Sequence, residues 1–273
     1  MQHACQTIMD QAKLGGGDAP PFSRVHVLGL NFDQIGQEAA AAYLWDRPAG
    51  APYSYVTSPN VDHVVRLHGE VHSAEIDQAY HTSDLTLCDS KVMALLARWY
   101  GIHLAVATGS DITADLLERL AHSNEPVVII GGDAETIPAL VKRYGLTNMC
   151  QHIPPMGLMQ SEVALDAAAR FIVENRARFI FICVGSPQQE VIALRARKMG
   201  AESGLALCVG ASLDYLTGRI RRAPMIFRWL ALEWLYRLLR EPHRMWRRYL
   251  IRSPKIFSLL RGDVRQRRRP AKR

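Results

Sequence analysis

The chain of 273 residues is 48% hydrophobic and 22% charged, an ordinary globular composition long enough for one large or two small cores. Its net charge of +7 conceals a split: from Arg219 onward 18 basic residues face three acids, leaving 15 basic against 23 acidic in residues 1–218. No apolar run reaches the roughly 18–20 residues needed to span a bilayer, and five scattered cysteines without a CxxC pair argue against a disulfide framework and fit a reducing compartment.

Residues 1–22 read as a loose leader ended by Gly15-Gly16-Gly17 and Pro20-Pro21, with neither the charged nor the apolar region of a signal peptide. Short β-rich runs then alternate with helical ones. Arg24 to Leu30 is predicted as a strand, Gln34 to Trp45 as a helix, and Tyr53 to Thr57 as a strand ending in Ser58-Pro59-Asn60. Helices are expected at Val61–Leu67 and Ala74–His81, followed by a buried strand Leu85–Cys88 that delivers Asp89. Helices at Lys91–Tyr100 and Ile112–His122 precede the strand Pro126–Ile130, which runs into Gly131-Gly132-Asp133. The pattern continues with helices near Ala134–Tyr144 and Ser161–Asn175, the strand Phe179–Val184, a helix Gln188–Met199 and the strand Leu205–Val209. Near-continuous apolar strands between helices argue for an α/β fold with a parallel sheet covered on both faces.

In such a sheet the ligand site lies beyond the carboxyl ends of the strands. Three strand ends carry glycine before a helix: Gly131-Gly132-Asp133, Gly185-Ser186-Pro187-Gln188-Gln189-Glu190, and Gly210-Ala211-Ser212-Leu213-Asp214. Each would let a phosphate approach the backbone at a helix N-terminus, and each is equally a plain turn. No intact GxGxxG or P-loop motif occurs. The acids of Asp84-Leu-Thr-Leu-Cys-Asp89 are too widely spaced for a DxD metal clamp, and no His/Cys ligand cluster is legible.

The segment Arg221–Leu250 holds eight arginines and three of the five tryptophans. Read as one helix from Met225 to Glu241, it carries Glu233, Arg237 and Arg240 on a narrow polar stripe, with Ile226, Trp229, Leu230, Trp234, Leu235 and Leu239 among the apolar remainder. Such a face packs on the body, meets a second subunit in a homo-oligomer, or enters the headgroup region of a bilayer. Interleaved Trp and Arg favour an anionic membrane surface. Nucleic acid is not the expected partner, because phosphate-groove binding needs no leucine and tryptophan face.

GSPQQE at 185–190, GASLDYLTGRIRRAP at 210–224 and LEWLYRLLREPHR at 232–244 together resemble the signature of glycosyltransferase family 26, the WecG/TagA/CpsF family. Thr57-Ser58-Pro59-Asn60 and the strand ending in Asp89 look like its early Thr/Asn element and its Asp-bearing loop, whereas Val106 stands where many members carry an arginine. The resemblance implies a Rossmann-like body and a C-terminal basic amphipathic helical appendage. It implies an inverting transferase without metal or other cofactor, which moves a sugar from a UDP-sugar to a polyprenyl-diphosphate-linked sugar at the inner face of a bacterial membrane. On this reading Asp89 is the catalytic base, and Thr57, Asn60, Gly131, Gly132, Gly185, Gln189, Glu190, Gly210, Asp214, Arg222 and Arg237 bind substrate. The alternative for Asp89 is a helix N-cap, and the alternative for the whole is a non-catalytic nucleotide-sugar or nucleic-acid binding protein of the same fold. The expected organisation is a flexible leader 1–22, a Rossmann-like domain 23–218, a membrane-associating appendage 219–262 and a basic disordered tail 263–273.

Overall fold

The computed structural model describes residues 21–69, 73–220 and 223–267, with the backbone alone at Arg228 and Arg244. Thirteen α-helices and eight strands are numbered below in chain order among these described residues. The expected strand Arg24–Leu30 is instead a hairpin: β1 (Arg24–Val27) pairs antiparallel with β2 (Leu30–Asp33). Leu28 and Gly29 both take positive φ, 55° and 75°, as a two-residue turn matched to strand twist requires. Glycine adopts this conformation at little cost; Leu28 is held there from outside. Its N–H donates to Asp263 Oδ1 at 3.2 Å and its carbonyl lies 2.9 Å from His68 Nε2.

Helix α1 (Gln37–Trp45) leads to a six-stranded parallel sheet of order β4-β3-β8-β7-β5-β6. Its strands are β3 (Ser54–Thr57), β4 (Leu85–Thr86), β5 (Val127–Gly131), β6 (Met149–His152), β7 (Phe179–Cys183) and β8 (Leu205–Cys208). The registers Ser54↔Leu205, Phe179↔Leu205 and Val127↔Phe179 align their amino ends. β6 escaped the sequence reading because MCQH is short and half polar, as suits an edge strand that is nowhere fully buried. At the other edge the hairpin covers β4, with Asp33 accepting from Thr86 N–H at 2.8 Å and from Arg24 Nε at 2.7 Å.

Helices cover both faces of the sheet. One core joins Val128, Ile130, Ile180, Ile182 and Ala206 to α2 (Val61–Leu67), α3 (Ala74–His81), α4 (Lys91–Trp99), α7 (Glu162–Glu174) and α8 (Gln188–Lys198). The other joins Val127, Ile129, Phe179, Phe181 and Leu207 to α1, α5 (Gly109–Leu120), α6 (Thr136–Tyr144) and α9 (Ser212–Leu216). Alternation along each strand therefore feeds two hydrophobic layers, the arrangement that continuous apolar strands require. After β3 the chain leaves toward α2 on one face; after β8 it leaves toward α9 on the other. Because β3 and β8 are neighbours, a crevice opens between them at their carboxyl ends.

The C-terminal segment departs from the expected single helix. α10 (Met225–Trp229) ends at Ala231, whose φ is 58°, and Leu232 N–H reaches back to Phe227 O at 2.7 Å. That six-residue closure is a left-handed helix stop with Ala where Gly usually stands, so no residue type announced it. The chain resumes as α11 (Glu233–Arg240), α12 (Pro242–Trp246) and a π-helical stretch Arg247–Arg252. The last helix, α13 (Lys255–Arg267), runs five residues into the segment expected as a disordered tail. It buries Ile256, Leu260 and Val264 in the same core as α2, while Arg267 donates to Asp263 and to His26 O. Residues 1–20 of the expected leader and 268–273 of the tail lie outside the described residues.

Candidate active site

Asp89 follows β4 at the carboxyl edge, its N–H bonded to Pro59 O at 3.2 Å and its neighbour Cys88 bridged to Val106. It does not cap the helix behind it: Ser90 Oγ accepts from Met93 N–H at 3.1 Å and takes that role. The Asp89 carboxylate is left pointing at the start of α5, where Oδ2 accepts the Gly109 N–H at 3.1 Å. A methyl group on Gly109 would stand 3.0 Å from Ser58 Oγ and 3.5 Å from Asp89 Oδ2, so glycine is what lets these groups converge. Burial pushes the Asp89 carboxyl up to about 6; the Gly109 N–H and Arg237 oppose the rise, while Glu233 and Asp111 add to it.

On α11, Glu233 and Arg237 form an ion pair of 2.6 Å one helical turn apart, and both act electrostatically on Asp89. The Arg237 guanidinium lies 5.0 Å from the centre of the Tyr215 ring. Burial by itself would lower its proton affinity, but Tyr215, Glu233 and Tyr249 outweigh that and keep it charged. The C-terminal segment thus comes within electrostatic reach of Asp89. Glu233 was legible as the acid one turn before Arg237, yet the sequence alone read it only as part of a narrow polar stripe.

The Thr57-Ser58-Pro59-Asn60 element divides differently from expectation. Thr57 is fully buried, its hydroxyl 3.3 Å from Ser83 Oγ and 3.2 Å from Thr86 Oγ1, so it braces the strand end from within. Ser58, one residue on and therefore on the opposite face, is the hydroxyl beside Gly109 and Asp89, and it donates to Cys208 O at 3.0 Å across the crevice. Asn60 caps α2, accepting from Asp62 and His63 N–H. His63 is half-buried and its imidazole is lowered to about 3 by burial and by Arg248 and Arg66.

A second group joins the exits of β7 and β8. Gln189 is buried; its Oε1 accepts Gly210 N–H at 2.8 Å and its Nε2 donates to Glu190 Oε1 at 2.8 Å. Glu190 is fully buried with its carboxyl pushed up by desolvation, and Tyr80 and Ser186, a hydroxyl pair 2.9 Å apart, lie next to it. Gly185, at φ 81°, opens onto free space.

The third group holds Gly131, Gly132 and Asp214. Gly131 has φ 101°, and a Cβ there would stand 2.9 Å from Cys183 O; at Gly132 a Cβ would fall 2.5 Å from Thr136 Oγ1. The α6 N-terminus beyond them is already served by Asp133, whose Oδ1 accepts from Glu135 N–H and Thr136 Oγ1. Arg219 then ties this loop to α9, 2.6 Å from Asp133 Oδ2 and 3.2 Å from Asp214 Oδ1. Asp214 is therefore engaged with a guanidinium that the sequence reading had not singled out. Arg222 lies outside the described residues. Among the described residues no group of three His, Cys, Asp or Glu side chains is placed to hold a metal ion.

A parallel sheet with helices on both faces, and with an acid, a cation and glycine-lined loops near a switch point, has the form of a Rossmann-like group-transfer enzyme. The chain belongs to the glycosyl transferase WecG/TagA/CpsF family, whose family model matches residues 25–272.

Proposed function

We propose that the protein is an inverting, metal-independent glycosyltransferase. It moves an N-acetylmannosamine-type sugar or glucose from a UDP-sugar to a polyprenyl-diphosphate-linked sugar, in cell-surface polysaccharide synthesis at the cytoplasmic face of a bacterial plasma membrane. The observation that carries this reading is Asp89: a half-buried carboxylate, relieved of capping by Ser90 and fixed by one N–H, whose affinity for a proton suits a base near neutrality. The acceptor hydroxyl oxygen attacks the anomeric carbon from the face opposite the nucleotide. The bond from that carbon to the phosphate oxygen breaks, UDP leaves with the electron pair, and the hydroxyl proton passes to Asp89. Arg237 and the backbone N–H groups near Gly185 offset the charge of the diphosphate.

The membrane role is supported by the surface of α10 to the π-helical stretch. Met225, Trp229 and Leu239 are 78%, 79% and 70% exposed, and Trp246, Leu250 and Ile251 are exposed beside Arg240 and Arg247. Each arginine near an anionic leaflet contributes on the order of 1 kcal/mol. No helix of the described residues is long and apolar enough to cross a membrane. The deciding experiment follows UDP release with a polyprenyl-diphosphate-sugar acceptor, with and without EDTA, for the unaltered protein and Asp89→Asn. Chelator-resistant turnover that Asp89→Asn abolishes is expected; an undiminished rate in the variant overturns the assignment.

A further inference from the structure

The mouth around Asp89 is rich in negative charge. The Arg237 guanidinium lies on the Tyr215 ring of α9, the helix packed against α5 whose first N–H Asp89 accepts, so Arg237 and its ion-pair partner Glu233 stand within electrostatic reach of Asp89, as does Asp111 on α5. Asp111 Oδ2 accepts from Thr108 Oγ1 at 2.8 Å, and Arg219 is shared between Asp133 and Asp214. An isolated guanidinium near an isolated carboxylate closes on it, and a carboxylate so paired is a poor base. Here Arg237 has another carboxylate, since Glu233 stands one turn away at 2.6 Å while the Tyr215 ring lies 5.0 Å from the guanidinium carbon. Both members of the pair are about one-third exposed, at 34% and 30%, so the pair contributes orientation more than stability.

We infer that Glu233 is a positioning residue of the site: it holds Arg237 back from Asp89, leaving the guanidinium free for an arriving phosphate and the Asp89 carboxylate free for a proton. This rests on Asp89 as the base. It explains why an acid occurs on the appendage helix that faces an anionic substrate, where acids would otherwise weaken binding. Three groups therefore move together when a diphosphate arrives. Arg237 turns from Glu233 toward the phosphates, Glu233 is left without its cation, and its charge then falls more fully on Asp89 and favours proton uptake there.

The test reads Asp89 directly. Carbon-13 NMR of aspartate carboxyls, with the Asp89 signal identified by its loss in Asp89→Asn, gives its titration in the unaltered protein, Glu233→Gln, Glu233→Asp and the double variant Glu233→Gln/Arg237→Gln. In Glu233→Gln the midpoint should fall by about one pH unit, because a like charge is gone and the released guanidinium closes on Asp89. Glu233→Asp should fall less, and the double variant should recover part of the drop. The acid limb of kcat/KM should move with the midpoint. A midpoint in Glu233→Gln equal to that of the unaltered protein, with an unchanged thermal melt, overturns the inference. Because the titration uses no sugar donor, a shifted midpoint beside an absence of transfer with every UDP-sugar would refute the proposed reaction while leaving the role of Glu233 intact.

Discussion

The Gly109 N–H donates to Asp89 Oδ2 across 3.1 Å, tying the first N–H of helix α5 to the acid at the end of β4. Helix-start N–H groups need partners from outside the helix, and a carboxylate there is favoured by the helix dipole. The same bond aims the carboxylate into the crevice. Replacing it by Asn keeps the shape and removes the base, so Asp89→Asn should lower kcat by roughly 10²- to 10⁴-fold. In the unaltered protein kcat/KM should decline below about pH 6, where the carboxyl becomes protonated. A pH–rate profile checks both, and the variant should lack that limb.

Asp89 also links stability to pH. Its folded-state value is raised above the unfolded one, so its stabilising contribution is full below the unfolded carboxylate range and is lost as pH rises through about 6. Asp89→Asn should therefore be more stable than the parent at pH 8, by on the order of 1 kcal/mol after allowance for partial exposure, and the gain should vanish by about pH 4. Urea unfolding at the two pH values measures it.

Glycine at two positions is required for different reasons. In Gly109→Ala the new methyl group meets Ser58 Oγ at 3.0 Å, and Ser58 is anchored to Cys208 O, so it cannot withdraw freely. Alanine favours the helix by up to about 1 kcal/mol, which offsets much of the crowding, and the expected result is near-parental stability with activity down at least tenfold. Gly132→Ala combines φ 72° with a Cβ 2.5 Å from Thr136 Oγ1 and should cost about 2–4 kcal/mol. Thermal melts beside UDP-release assays separate the two.

The C-terminal segment should separate into a structural and a surface part. Leu260 on α13 is fully buried in the core shared with α2, so Leu260→Ala should destabilise by about 2–5 kcal/mol. Leu239 is 70% exposed, so Leu239→Ala should stay within about 0.5 kcal/mol of the parent. If α11 meets lipid, the second variant alone should reduce co-sedimentation with anionic liposomes while its melt is unchanged. Equal liposome binding by parent and Leu239→Ala argues against that contact.

Much of the body was legible because burial on both sides of a parallel strand demands an uninterrupted apolar run, and PVVII, FIFIC and LALC supply it. The same reading failed at MCQH, which as an edge strand needs no such run, and at Arg24–Leu30, where alternation suits a hairpin as well as a longer strand. In the site, Asp89 followed from its place after a buried strand. Ser58 did not, since Thr57 and Ser58 are equally polar and the fold alone decides which one faces inward.

By itself the sequence determined the layers, the strand-end position of Asp89 and the basic, tryptophan-rich character of the C-terminal segment, because each depends on local composition and period. Tertiary structure decided that Ser90 caps in place of Asp89, that Ala231 stops a helix no glycine marks, and that Glu233 and Arg237 come within electrostatic reach of an acid almost 150 positions earlier. Those outcomes are set by which surfaces meet when helices pack on a sheet, and periodicity along a chain carries no record of distances between its remote parts.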